Sequence, residues 1–113
     1  MAETSDERIL LSVIFRHDQS RPVGRLQEQL AEQGFFERFP PKGCEVVSWY
    51  VMMGLGQVAT LSVPAGSLRE VNRAIEGTAW GAFRTEIYAS YDFRPVARDQ
   101  RGGNLSLAKP IEI

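Results

Sequence analysis

The chain has 113 residues, 43% of them apolar, enough for one hydrophobic core and too few for a second, so residues 1–113 read as a single domain. A formal charge of −1 at pH 7, with the basic residues scattered, excludes a surface built to neutralise phosphates, and no nucleic-acid partner is expected. The lone Cys44 cannot close an internal disulfide.

Strand one is predicted from about Ile9 to Arg16, where nearly every residue except Ser12 is apolar, as in a central strand covered on both faces. Ser20 suits an N-cap and Pro22 a first helical turn, after which Val23, Leu26 and Leu30 fall on one helix face. Gly34 is expected to end that helix in the left-handed conformation. Phe35 to Gly43 carries three phenylalanines and two prolines, the composition of an aromatic-anchored connection and not of a long helix. Strand two is predicted from about Cys44 to Met53, Gly54-Leu55-Gly56 is the hairpin turn, and Gln57 to Val63 returns as strand three. Ser67 and Glu70 have capping-box spacing ahead of a second helix with the stripe Leu68, Val71 and Ile75, which Glu76-Gly77 should stop. Strand four is predicted from Phe83 to Phe93. Arg94 to Asn104 reads as a flexible or lightly ordered connection, and Leu105, Leu107, Ile111 and Ile113 as an extended segment lying on a partner subunit or a frayed tail. The core is thus about 8–96, with 1–7 and 97–113 as tails.

The order β-α-β-β-α-β defines an α+β fold of ferredoxin-like type, a four-stranded antiparallel sheet with two helices on one face. Alternation sorts the faces. Ile9, Leu11, Val13, Phe15, Ala59, Leu61, Val63, Phe83, Ile87 and Ala89 belong under the helices. The opposite set is mixed: Leu10, Ser12, Ile14 and Arg16; Val46, Ser48, Tyr50 and Met52; Val58, Thr60 and Ser62; Arg84, Glu86, Tyr88, Ser90 and Asp92. Strand two can exchange its sets by a one-residue slip. Such a face is too apolar for water and too polar for a dry core, so the expectation is a homodimer through the sheet face, enclosing a cavity; a plain dimer interface, or a partly solvated face with its charges paired, are the alternatives.

With that face, the W-Y-x-M-x-G-x-G run at Trp49, Tyr50, Met52, Gly54 and Gly56 resembles the dimeric α+β barrel superfamily, including muconolactone isomerase-like proteins and antibiotic-biosynthesis monooxygenases, over about residues 8–96. The resemblance implies fold more than chemistry, and no catalytic residue carries over from it.

Several side chains are chemically capable. His17, the single histidine, ends strand one beside Asp18 and suits a general base; a surface residue beside a helix start is the plainer reading. Arg84, Glu86 and Tyr88 alternate, so a guanidinium and a phenol can hold a carboxylate or enolate while Glu86 moves a proton; an Arg84–Glu86 pair sealing an interface is the alternative. Tyr50 and Ser12 are expected to line the site and Trp80 to form an aromatic lid, or a core anchor. No metal and no cofactor is expected: one His and one Cys match no zinc spacing, and Gly54 and Gly56 lead into no helix. The start, Met1 to Glu7, is acidic where a leader is basic, and no apolar run approaches the roughly 20 residues of a membrane helix. A cytoplasmic location without membrane partners is therefore expected. Two functions remain open: a small-molecule binding protein or cofactor-independent enzyme, of isomerase or monooxygenase type, acting on an acidic or aromatic metabolite; and a non-catalytic dimeric interaction protein.

Overall fold

A computed structural model describes residues 7–108, so most of the acidic start, and Ile111 and Ile113, lie outside the described residues. The elements in order are β1 (Arg8–His17), α1 (Val23–Glu32), α2 (Phe35–Arg38), β2 (Glu45–Met52), β3 (Gly56–Pro64), α3 (Leu68–Thr78), β4 (Phe83–Ser90) and α4 (Arg94–Gln100). The strands form one antiparallel sheet in the order β2-β3-β1-β4, which puts the most apolar strand, β1, between two neighbours. One face of it is closed. Leu11, Val13 and Phe15 of β1 and Ala59, Leu61 and Val63 of β3 are buried in one core with Leu26 and Leu30 of α1 and Val71 and Ile75 of α3.

The short aromatic segment completes that core. Phe35 and Phe39 lie one helical turn apart on α2 and its C-cap, stacked with centroids 5.3 Å apart, and both meet Phe15 and Trp49 edge to ring. The expected connection thus contains one helical turn, entered through Gly34 in the left-handed conformation (φ 73°) that also closes α1.

The helix starts differ from expectation. Pro22, not Ser20, is the N-cap of α1, because Ser20 donates both its hydroxyl and its backbone N–H to Asp18 Oδ1, at 2.6 and 3.0 Å, in a turn that leaves β1. Ser67 does precede α3 but makes no capping bond, since a 3₁₀ turn over Ala65–Ser67 already leads the chain in. Nor does Gly77 stop α3. The helix continues to Thr78, whose buried hydroxyl donates to the Ala74 carbonyl at 2.5 Å, and Gly77 lets the Arg38 guanidinium lie against the helix.

The hairpin turn is Met53-Gly54-Leu55, one position earlier than expected, with Leu55 N–H donating to the Met52 carbonyl. Gly56 is instead the first residue of β3, at φ +145°, and a Cβ there would stand 1.9 Å from the Phe15 carbonyl oxygen. Strand β2 carries an irregularity between Val46 and Ser48 that splits its register. Ser48, Tyr50 and Met52 pair with Thr60, Val58 and Gly56 of the uncovered face as expected. Val46, however, pairs with Leu61 of the helix-covered set, and Glu45 with Ser62.

Strand β4 ends at Ser90, short of Phe93. Asp92 then accepts the Arg94 backbone N–H and its guanidinium, and Arg94–Gln100 forms α4, where a flexible or lightly ordered connection was expected. No residue of α4 is buried. Among the described residues, no helix is long and apolar enough to cross a membrane.

Candidate functional site

Register turns the uncovered face into a grid of four rows, each crossing β2, β3, β1 and β4 in turn. The first row is Glu45, Ser62, Leu10 and Ser90; the second Ser48, Thr60, Ser12 and Tyr88; the third Tyr50, Val58, Ile14 and Glu86; the fourth Met52, Gly56, Arg16 and Arg84. Hydroxyls therefore gather towards one end, where Arg8 beyond the first row is committed to Ser62 and the Gly43 carbonyl; Ile14 and Val58 lie in the middle between Tyr50 and Glu86; and Arg16 and Arg84 face each other across strands at the other end.

Glu86 is the polar hub. One carboxylate oxygen accepts from Arg16 Nε at 2.5 Å and the other from the Tyr88 hydroxyl at 3.0 Å. The Arg16 bond, with a smaller contribution from Tyr88, holds the Glu86 carboxyl below its ordinary pKa; the same Tyr88–Glu86 bond, joined by the carboxylate's charge, pushes the phenol up. Glu86 is thus a carboxylate at neutral pH and a weak proton acceptor. The pair expected between Arg84 and Glu86 is not the one formed. Residues two apart on a strand are spaced by roughly 6.7 Å, whereas Arg16, diagonal to Glu86 on the next strand, reaches it directly. Among the described residues no carboxylate pairs with Arg84.

Ser12 is not bonded to this cluster: its hydroxyl donates to Ser90 Oγ at 3.1 Å, and Tyr88 is its register partner across the strands. Tyr50 shares the row of Glu86 but stands on the far edge strand, with two strands between them and 57% of its surface exposed. The two remaining candidates lie elsewhere. By register His17 belongs with Phe15 and Phe83 on the helix-covered side, its ring 5.6 Å from that of Phe83. It lines a shallow depression at the sheet end with Asp18, Gln19 and Arg84, so of the cluster it approaches only Arg84. Trp80 is half exposed beside β4, donating from its indole to Thr85 Oγ1 at 3.1 Å, and Thr85 is on the helix-covered side. It does not roof the uncovered face.

That loop is instead tied to α1. Arg21 donates to the Gly81 carbonyl at 2.7 Å and to Gln29 Oε1; Gln29 donates to Gln33, which donates to the Thr78 carbonyl at 2.6 Å. This chain fixes the start of β4, and with it the positions of Arg84 and Glu86. Arg16 is the residue of the site that alternation placed on the right face without marking it. Its signal was a cation at the end of an apolar strand, facing the same way as Ser12.

No three His, Cys, Asp or Glu side chains come together as a metal site among the described residues. Comparison with known proteins finds no matching family, no matching curated protein and no matching solved structure.

Proposed function

We propose that the chain is a homodimeric small-molecule binding protein of the dimeric α+β barrel type, ferredoxin-like in topology, whose two uncovered sheet faces enclose an acidic or aromatic metabolite. The observation that supports this most is the Arg16–Glu86–Tyr88 array, with Arg84 beside it, set on a sheet face that no helix covers. Charged and hydroxyl groups convergent within aliphatic surroundings are the composition of a ligand site. Binding is favoured over catalysis. A cofactor-independent isomerase or monooxygenase needs a proton acceptor facing the substrate; both carboxylate oxygens of Glu86 are already taken by donors of its own chain, and His17 belongs by register to the other side of the sheet.

Native mass spectrometry of the purified protein is the test. A dimer retaining a small molecule, released by Arg84→Met without loss of the dimer, is the expected result. One observation favours a second reading, a non-catalytic dimer sealed by paired charges: Glu86 already finds both partners in its own chain. Under that reading Arg16→Met strands a buried carboxylate and dissociates the dimer, and Glu86→Gln in the same chain restores it.

A further inference from the structure

The grid of the uncovered face has a direction, and resting on the proposed function we infer that the ligand is an elongated carboxylic acid with an aliphatic or aromatic body and a hydrogen-bonding group at its far end. Its carboxylate belongs with Arg84 and Arg16. These two cations are directly opposite on neighbouring strands, and Glu86, bonded to Arg16, sets one negative charge against their two, which leaves a net positive charge at this end. Glu86 takes the Nε of Arg16 only, so the terminal nitrogens of Arg16 and the whole guanidinium of Arg84 remain to hold an anion, bidentate geometry included.

From that end the path over β1 and β3 crosses Ile14 and Val58, which offer only aliphatic surface, and arrives at Ser12, Thr60 and Ser48. Arg16 and Ser12 are four residues apart on one strand, as are Arg84 and Tyr88, so the cationic and hydroxyl rows are separated by roughly 13 Å. Ser12 spends its hydroxyl proton on Ser90, while Thr60, in the centre of the sheet, is the hydroxyl best placed to meet the ligand's far end. A short diacid or a phosphate would fill the cationic end and leave the aliphatic row without a partner.

The test is calorimetric titration with straight-chain monocarboxylates and their ω-hydroxy counterparts, below their micelle concentrations, alongside light scattering of the same samples. Affinity should peak near a chain of about ten carbons, whose extended length matches the roughly 13 Å span. At that length the ω-hydroxyl should tighten binding about three- to ten-fold, and Thr60→Val, which keeps the side-chain shape, should erase that advantage while leaving the unsubstituted acid unaffected. Arg84→Met should weaken every acid by about ten-fold or more. A dimer that binds acids without length preference, or whose ω-hydroxyl advantage survives Thr60→Val, overturns the inference and leaves the binding function standing. A monomer that binds none of the acids overturns both.

Discussion

At the scale of single residues, the uncovered face depends on one carboxylate. Because Arg16 and Tyr88 lower the folded-state pKa of Glu86, its contribution to stability is complete above the unfolded value of about 4.3 and is lost as pH falls through the lower folded value. Asp92, lowered to about 2 by its bonds to Arg94, follows the same sign over a more acidic range. Thermal melts should therefore hold level from neutral pH to about 5 and decline below it, and Glu86→Gln should remove part of that decline. An identical pH profile in the variant would mean that the Arg16–Glu86 bond contributes nothing to the fold. Gly56 offers a sharper contrast. Alanine at Gly56 would drive a methyl into the Phe15 carbonyl and should cost roughly 3 kcal/mol or more, whereas Gly54→Ala, at φ +83° but in open space, should cost only about 1 kcal/mol. Equal denaturation midpoints for the two variants would contradict this placement of the hairpin. The partition of Ser12, Arg84, Glu86 and Tyr88 onto one face was legible from alternation alone. That Glu86 meets Arg16 was not, since it depends on the register between strands, which periodicity within one strand does not carry.

At the scale of elements, the unusual piece is α2. A four-residue helix has little stability of its own, so it persists because Phe35 and Phe39 are inserted against Phe15, Trp49 and Phe83. Phe35→Ala should cost about 3–5 kcal/mol, while Phe36→Ala, at a side chain 62% exposed, should cost below about 1 kcal/mol, as read from urea denaturation. Similar losses would show that the segment is not anchored by one face. The three phenylalanines announced this anchor in the sequence. The irregularity in β2 was hidden, because Glu45-Val46-Val47-Ser48 reads equally well in either alternation, and only pairing with β3 reveals which residues change side. Helix α4 carried a signal that charge and glycine content obscured: Asp92 closes the turn and Pro95 lies in the first helical turn, a position where proline is favoured.

At the scale of the whole molecule, the issue is surface. Leu10, Ile14 and Val58 are only half-buried, and Tyr50, Met52 and Tyr88 are exposed, all on one side of the sheet. A second copy meeting this face would cover it with a matching set of aliphatic, hydroxyl and charged groups, and would complete the walls of the proposed site. Substituting Ile14 by lysine should then separate the protomers, because it places a charge in the middle aliphatic row, while leaving the helix-covered core folded by circular dichroism. The most direct measurement is the molar mass of the unmodified protein by light scattering at micromolar concentration. A homodimer gives twice the chain mass of 12.7 kDa, and a mass of one chain would contradict assembly through the uncovered face.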